Sequence, residues 1–262
     1  DGSETDRTLD GKPAATVNAN LTAATADLTR AVVLAENRGI AFMGDTKGGP
    51  FDIRADLAAS WMNLVNPNGR PNGNVVRPWA NGKEVNGSQQ GLWIVDFPPG
   101  MDAVAAAQYE APFEYIKQQV APLRAKSRTT IAEWWSHERP RPDMRAALAG
   151  LPRYLATATV AKHRIFVWLD AAVLADHQLI VFARADDYFF GVLHSRPHEV
   201  WALAMGTQLR EKESGFRYTP TTCFETFPFP APTDAQREVV AAAARALHEA
   251  RANWLGDRSD RS

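Results

Sequence analysis

From Tyr154 to Leu193 the chain passes through four short apolar stretches, YLATATV, RIFVWL, QLIVFA and DYFFGVL, joined by brief polar connections. Runs of this length, rich in β-branched and aromatic residues, predict strands, and their short connections predict an antiparallel or mixed sheet. VVRPWA and GLWIVDF are two further strand candidates, set between and after the turn-forming segments NPNGRPNGN (Asn66 to Asn74) and NGKEVNG (Asn81 to Gly87).

Elsewhere the apolar period changes to three and four. Tyr109, Phe113, Ile116, Val120 and Leu123 predict one amphipathic helix from about Met101 to Lys126, and Val200, Trp201 and Leu203 mark another over about Ser195 to Met205. A last helix begins near Asp234, because Thr233 and Gln236 match a capping box. Its seam reads Val240, Ala243, Leu247, Ala250 and Trp254, with Gly256 as a stop. Immediately upstream, Pro228, Pro230 and Pro232 forbid regular helix and leave Phe227 and Phe229 to be pinned on a core. The pattern implies an α+β (mixed α/β) fold: a twisted, mostly antiparallel or mixed sheet with packed helices, followed by a C-terminal helix. Three zones result, an Ala-rich lead-in over residues 1–38, a main domain over 39–230, and a bracing helix with its tail over 231–262.

Composition narrows the classes. A chain of 262 residues with 45% hydrophobic content can bury a sizeable core. Apolar stretches such as Ile165 to Leu169 fall far short of a membrane span, and the opening DGSETDRTLDG has no signal-peptide pattern, so the expected compartment is the cytoplasm, with no membrane partner. That opening, acidic and without Met, reads as a fragment of something longer. One cysteine, Cys223, excludes an internal disulfide and a cysteine-rich zinc site. With 29 Lys plus Arg against 30 Asp plus Glu, any contact with a polyanion must come from a local patch. Lys117 to Arg128, His137 to Arg145, and Lys162 to Arg164 are such patches, each of which also reads as a solvated helix face or turn.

Motifs for catalysis are sparse. Asn66-Pro67 continues as Asn68-Gly69, a turn rather than the Asn-Pro-Pro-aromatic signature of amino-methylating DNA methyltransferases. The glycine-rich FMGDTKGGPF (Phe42 to Phe51) fits neither the phosphate-loop nor the dinucleotide spacing, though Lys47 and backbone N–H groups there could touch a phosphate. His194 and His198 are four apart but lack the zincin glutamate and a third ligand, and Ser195 and Pro197 place them at a helix start. Asp186 and Asp187 read as a pair at a strand turn. No catalytic residue and no metal site is expected.

The runs FMGDTKGGPFDI, NPNGRPNGNVVRPW, GLWIVDF, YEAPFEYIK, RAALAGLPRYLAT, KHRIFVWLD, DYFFGVLHSRPHEVWAL and RYTPTTCFETFPFP together resemble the C-terminal part of MmeI-like (type IIL) restriction-modification enzymes and their methylase-only relatives. The resemblance runs from about Ile40 to Pro230. It implies a target recognition domain for double-stranded DNA, joined to an upstream adenine-N6 methyltransferase domain from which residues 1–38 lead in. S-adenosylmethionine, catalysis and any nuclease would then lie outside this chain, which needs no cofactor of its own. In such enzymes the specificity positions fall in a short turn ahead of an apolar run. That turn matches Ala161 to Arg164, making Lys162, His163 and Arg164 the candidate base readers; as three donors between strands they suit a groove, and equally a solvated turn. Lys47, Lys126, Arg128, Arg141, Arg145 and Arg153 are the candidate phosphate contacts. Of the adjacent Trp134 and Trp135, one is expected in the core and the other against a neighbouring domain. Two rival readings stay open, a docking domain that touches no bases and a stand-alone nuclease.

Overall fold

The computed structural model describes residues 7–17, 27–85, 91–126, 133–208 and 215–259. In chain order its elements begin with the hairpin β1 (Thr8–Leu9) and β2 (Lys12–Pro13), then β3 (Ala41–Met43), β4 (Asp52–Ile53), α1 (Ala55–Met62), β5 (Val76–Ala80), α2 (Gly82–Val85) and β6 (Trp93–Val95). Four helices follow, α3 (Ala103–Ala107), α4 (Glu110–Gln119), α5 (Ala121–Ala125) and α6 (Pro142–Leu148). After them come β7 (Arg153–Ala158), β8 (Val160–Ala161), β9 (Val167–Asp170), β10 (Leu174–Ala175) and β11 (Leu179–Phe182). The chain closes through α7 (Asp187–His194), α8 (Arg196–Met205), β12 (Thr207–Gln208), β13 (Phe216–Arg217) and α9 (Asp234–Ser259). This is the mixed α/β architecture the pattern predicts. Among the described residues no helix is long and apolar enough to cross a membrane.

A wholly antiparallel sheet of order β3-β11-β7-β9 forms the central wall. Strand alternation divides its side chains between two cores. Ala156, Ala158, Leu179 and Val181 face the first core, which fills the space towards the sheet β10-β5-β6-β4 and helices α3 to α5. Leu155, Ile180 and Phe182 face the second, an aromatic core closed by α7, α8 and Phe224. Burial on both faces explains why β7 and β11 read as continuous apolar runs.

Five local expectations change, one of them being the stop expected at Gly256, since α9 runs through it to Ser259. DYFFGVL is helix α7, not strand: Asp186 caps it by accepting from Phe189 N at 2.9 Å, and the helix buries Tyr188, Phe189, Phe190, Val192 and Leu193, so it carries no polar face to reveal its period. The single helix expected over Met101 to Lys126 is three, interrupted at Tyr109 and Val120; Pro122, which cannot donate an N–H, opens the third. Trp134 and Trp135 lie in a turn rather than a helix, so both rings pack on the first core, edge to face at 5.9 Å. On α9 the Thr233–Gln236 capping box forms, with Thr233 N donating to Gln236 Oε1 at 2.9 Å and Gln236 N to Thr233 Oγ1 at 3.3 Å. The buried seam, however, is Ala241 and Ala244, while Leu247 and Trp254 are 47% and 58% exposed. Small residues face inward because α9 crosses α7 at Gly191, where a Cβ would stand 2.8 Å from Val240 Cγ1 and 3.2 Å from Ala244 Cβ.

The proline-rich segment is pinned as expected. Phe227 is buried, Phe229 stacks on Phe189 at 5.2 Å, and Tyr188 Oη donates to the Pro230 carbonyl at 3.2 Å.

Candidate nucleic-acid interface

The turn between β7 and β9 is built from its base outward. Thr157 Oγ1 donates to the Ile165 carbonyl at 2.7 Å, closing the neck of the excursion. Within it β8 leaves the central wall to pair with β13, Ala161 opposite Phe216 and Val160 opposite Arg217. Gly215 lies so near that a Cβ there would run into the Ala161 carbonyl and the Lys162 backbone, and its φ of +85° suits glycine alone.

Lys162 and His163, at the tip, are exposed. Arg164 turns the other way. Its Nη1 donates to the Ala158 carbonyl and, at 3.3 Å, to Thr157 Oγ1, and its Nη2 donates to the Phe216 carbonyl at 3.0 Å. The guanidinium stacks over Phe216 at 4.7 Å and Tyr218 at 5.2 Å. No carboxylate meets it among the described residues, and burial pushes its pKa down to about 10. Arg164 therefore holds the turn rather than offering its head to a groove.

The six candidate phosphate contacts divide in the same way. Arg145 donates Nη1 to Asp96 Oδ2 at 2.8 Å, Nη2 to Asp96 Oδ1 at 2.8 Å and to Asp45, and Nε to the Pro140 carbonyl at 2.6 Å. Four of its five donors are spent inside the protein. Arg153 bonds the Ala185 carbonyl and Asp187 and lies 3.8 Å over Trp168, while Lys47 pairs with Asp52. Lys126 caps α5 in exposed position. Arg141, a non-glycine residue at φ 47°, spends only Nε on Gly44 O at 3.3 Å and Nη2 on Met43 Sδ at 3.5 Å. Arg128 lies outside the described residues.

Sequence reasoning missed a buried cluster of charged side chains among the described residues. Asp45, Asp96 and His137 are all buried, with one potential ligand atom of each within 4.8 Å of the others. They suit an ion pair better than a metal, because Arg145 already joins both carboxylates, Arg77 Nη1 stands 3.5 Å from Asp96 Oδ2, and His137 Nε2 faces the Val95 carbonyl at 3.0 Å. Burial alone would raise the Asp96 pKa, but the Arg145 hydrogen bond and the charges of His137, Arg145 and Arg77 hold it below the ordinary carboxylate value. The available signal was an aspartate ending the apolar run WIVD, which a buried strand tolerates only with a partner. Arg124, within the first basic patch, is likewise turned inward onto the Lys47, Trp134 and Ser136 carbonyls.

His194 and His198 spend their ring nitrogens inside the protein. His194 Nε2 accepts from Phe166 N at 3.3 Å and its Nδ1 faces the Phe190 carbonyl at 3.1 Å. His198 Nδ1 donates to Leu193 O at 2.8 Å and Nε2 accepts from Tyr218 Oη at 3.0 Å. Asp186 and Asp187 serve the start of α7 and the arginines around it.

No curated protein matches the sequence. The structure of MmeI, titled as a type IIL restriction-modification enzyme in complex with DNA, superposes with a TM-score of 0.66 at 18% identity, covering 92% of this chain and 32% of that one. At that identity the likeness establishes the fold, and the chain spans about a third of that enzyme. The family model described as the MmeI target recognition domain matches residues 71–231, more than half of the chain, and includes the turn, β7 to β11, α7 and α8. The chain belongs to the MmeI target recognition domain family.

Proposed function

We propose that this chain selects the sites on double-stranded DNA at which a larger adenine-N6 methyltransferase acts. The observation that carries the reading is the Lys162–His163 turn, two exposed hydrogen-bonding side chains on a neck that Thr157 and Arg164 lock from below. A locked loop loses little freedom on entering a groove, which favours discrimination between bases. Lys162 suits guanine O6 and N7, and His163 can meet an acceptor beside it. Lys126 and Arg141, which keep donors to spare, supply phosphate contacts that position the duplex without choosing sequence. S-adenosylmethionine and methyl transfer belong to a methyltransferase domain outside this chain, and any nuclease of the parent lies outside it too. The setting is the cytoplasm.

Replacing Lys162 and His163 together by alanine tests the reading in a selection from randomised duplexes. The expected result is a lost preference at one or two base pairs, about 1–3 kcal/mol each, with general DNA affinity kept. An unchanged site preference would refute it. Arg141→Gln and Lys126→Gln should weaken all duplexes alike and reduce the slope of affinity against salt.

A further inference from the structure

A second turn lies directly against the first. The link between β10 and β11, residues 176–178, is tied down on every side: Asp176 N donates to Ala80 O at 2.8 Å, His177 N to Asp45 O at 2.8 Å, and Leu179 N to Asp176 O at 2.8 Å. Buried Asp176 also accepts at Oδ1 from Gln178 N at 2.8 Å, and His177 Nδ1 lies 3.1 Å from the same oxygen. On the other side Thr159 N donates to the Gln178 carbonyl at 2.6 Å and Thr159 Oγ1 to the His177 carbonyl at 3.3 Å. The end of β3 packs so closely that a Cβ at Gly44 would run into the Asp176 and Ala175 carbonyls.

Within this rigid turn Gln178 is exposed, and among the described residues its side-chain amide makes no hydrogen bond. The amide lies over Gly82, where a Cβ would come within 3.3 Å of Oε1. Gln178 continues the register of Leu179 opposite Ala158 and so faces Thr159, three residues before Lys162. Three residues of extended chain span at most about 10 Å, and the cross-strand step from Gln178 to Thr159 adds about 5 Å, so the two positions lie within about four to five base-pair steps of ~3.4 Å. Both turns therefore fit one stretch of one groove.

We infer that Gln178 is a second base-reading position, selecting adenine. The amide donates and accepts at once, the pairing that matches adenine N6 and N7 in the major groove. The ties of Asp176, His177 and Thr159 fix the backbone that carries the Gln178 side chain, so Asp176 acts as a positioning residue. The inference rests on the DNA-recognition reading above.

The experiment is selection from randomised duplexes by the full chain, comparing the unaltered protein with Gln178→Ala, Gln178→Glu and Lys162→Ala. The expected outcome is that Gln178→Ala loses preference for adenine at one position by about 5- to 150-fold, while Lys162→Ala alters a different position. Gln178→Glu, of the same shape, should move the preference at that position towards cytosine. A motif changed by Lys162→Ala but by neither Gln178 variant overturns this inference and leaves the reading of the first turn standing. A motif in which the Gln178 variants act at a position without adenine also overturns it. If the unaltered protein selects no motif, both fall together.

Discussion

Arg145 and Arg164 each bring a guanidinium into the interior, one against the first core and one against the second, and the two sites neutralise it by opposite means. Around Arg145 stand two buried carboxylates, with His137 and Arg77 beside them, so the cluster is a charge network closed on itself. Around Arg164 stand two backbone carbonyls, the Thr157 hydroxyl and two aromatic rings. The burial penalty is answered fully in the first site, where the Arg145 pKa rises, and only partly in the second, where the Arg164 pKa falls to about 10. The comparison separates a clamp that holds the fold from a clamp that holds a loop.

The largest test is Arg145→Met. Removing that cation leaves Asp45 and Asp96 buried with much less compensation, which costs about 3–5 kcal/mol for a broken buried pair. Chemical denaturation should show the loss as a lower midpoint at an unchanged slope. A loss under about 1 kcal/mol would mean that Arg77 and His137 suffice and that the network is not the lock described.

The second test exploits acid. His198 is buried between Leu193 O and Tyr218 Oη; burial, with a lesser push from the charges of His194 and Arg164, takes its pKa from 6.5 to about 4. A histidine whose folded pKa is depressed binds its proton more readily when unfolded, so its contribution is fully present above pH 6.5 and is lost as pH falls towards 4. The shift corresponds to about 3 kcal/mol. Asp96, also depressed, gives way only below its ordinary value of 3.8, so the second core should weaken first on acidification. His198→Gln should flatten the stability profile between pH 6.5 and 4; an unaltered profile would assign the acid sensitivity elsewhere.

What the amino-acid order revealed depended on how each residue is satisfied. The capping box at Thr233, the strands β5, β6, β7 and β11, and helix α8 were legible because local pattern and burial agree there. α7 was not, since a helix buried on nearly all sides carries the same apolar run as a buried strand. The basic patches misled for a related reason. In a domain rich in turns many carbonyls lack a ladder partner, and an arginine with five donors meets several at once. Arg124 and Arg164 do so, Arg153 bonds one carbonyl twice, and a string of basic residues cannot show which way a side chain turns. The position of the Lys162–His163 turn was legible; the inward role of its third member was not.

The smallest expected effect is the sharpest test of the comparison. Arg164→Met removes a cation that is itself costly to bury and substitutes an apolar side chain that can still pack on Phe216 and Tyr218. The Ala158 and Phe216 carbonyls, which belong to buried residues, lose their donor, but the relief of a buried cation offsets part of that cost, so the net loss should be about 1–2 kcal/mol, well short of that for Arg145→Met. The consequence for recognition should be of a different kind from that of Lys162→Ala. A missing reader erases one base preference, whereas a loosened neck lets Lys162 and His163 sample several positions and blurs every preference they supply while general DNA affinity holds. Arg164→Lys keeps the charge but not the forked donors, and should behave like methionine rather than arginine. Full rescue of the selected motif by lysine would show that charge, not the geometry of the clamp, is what the turn requires.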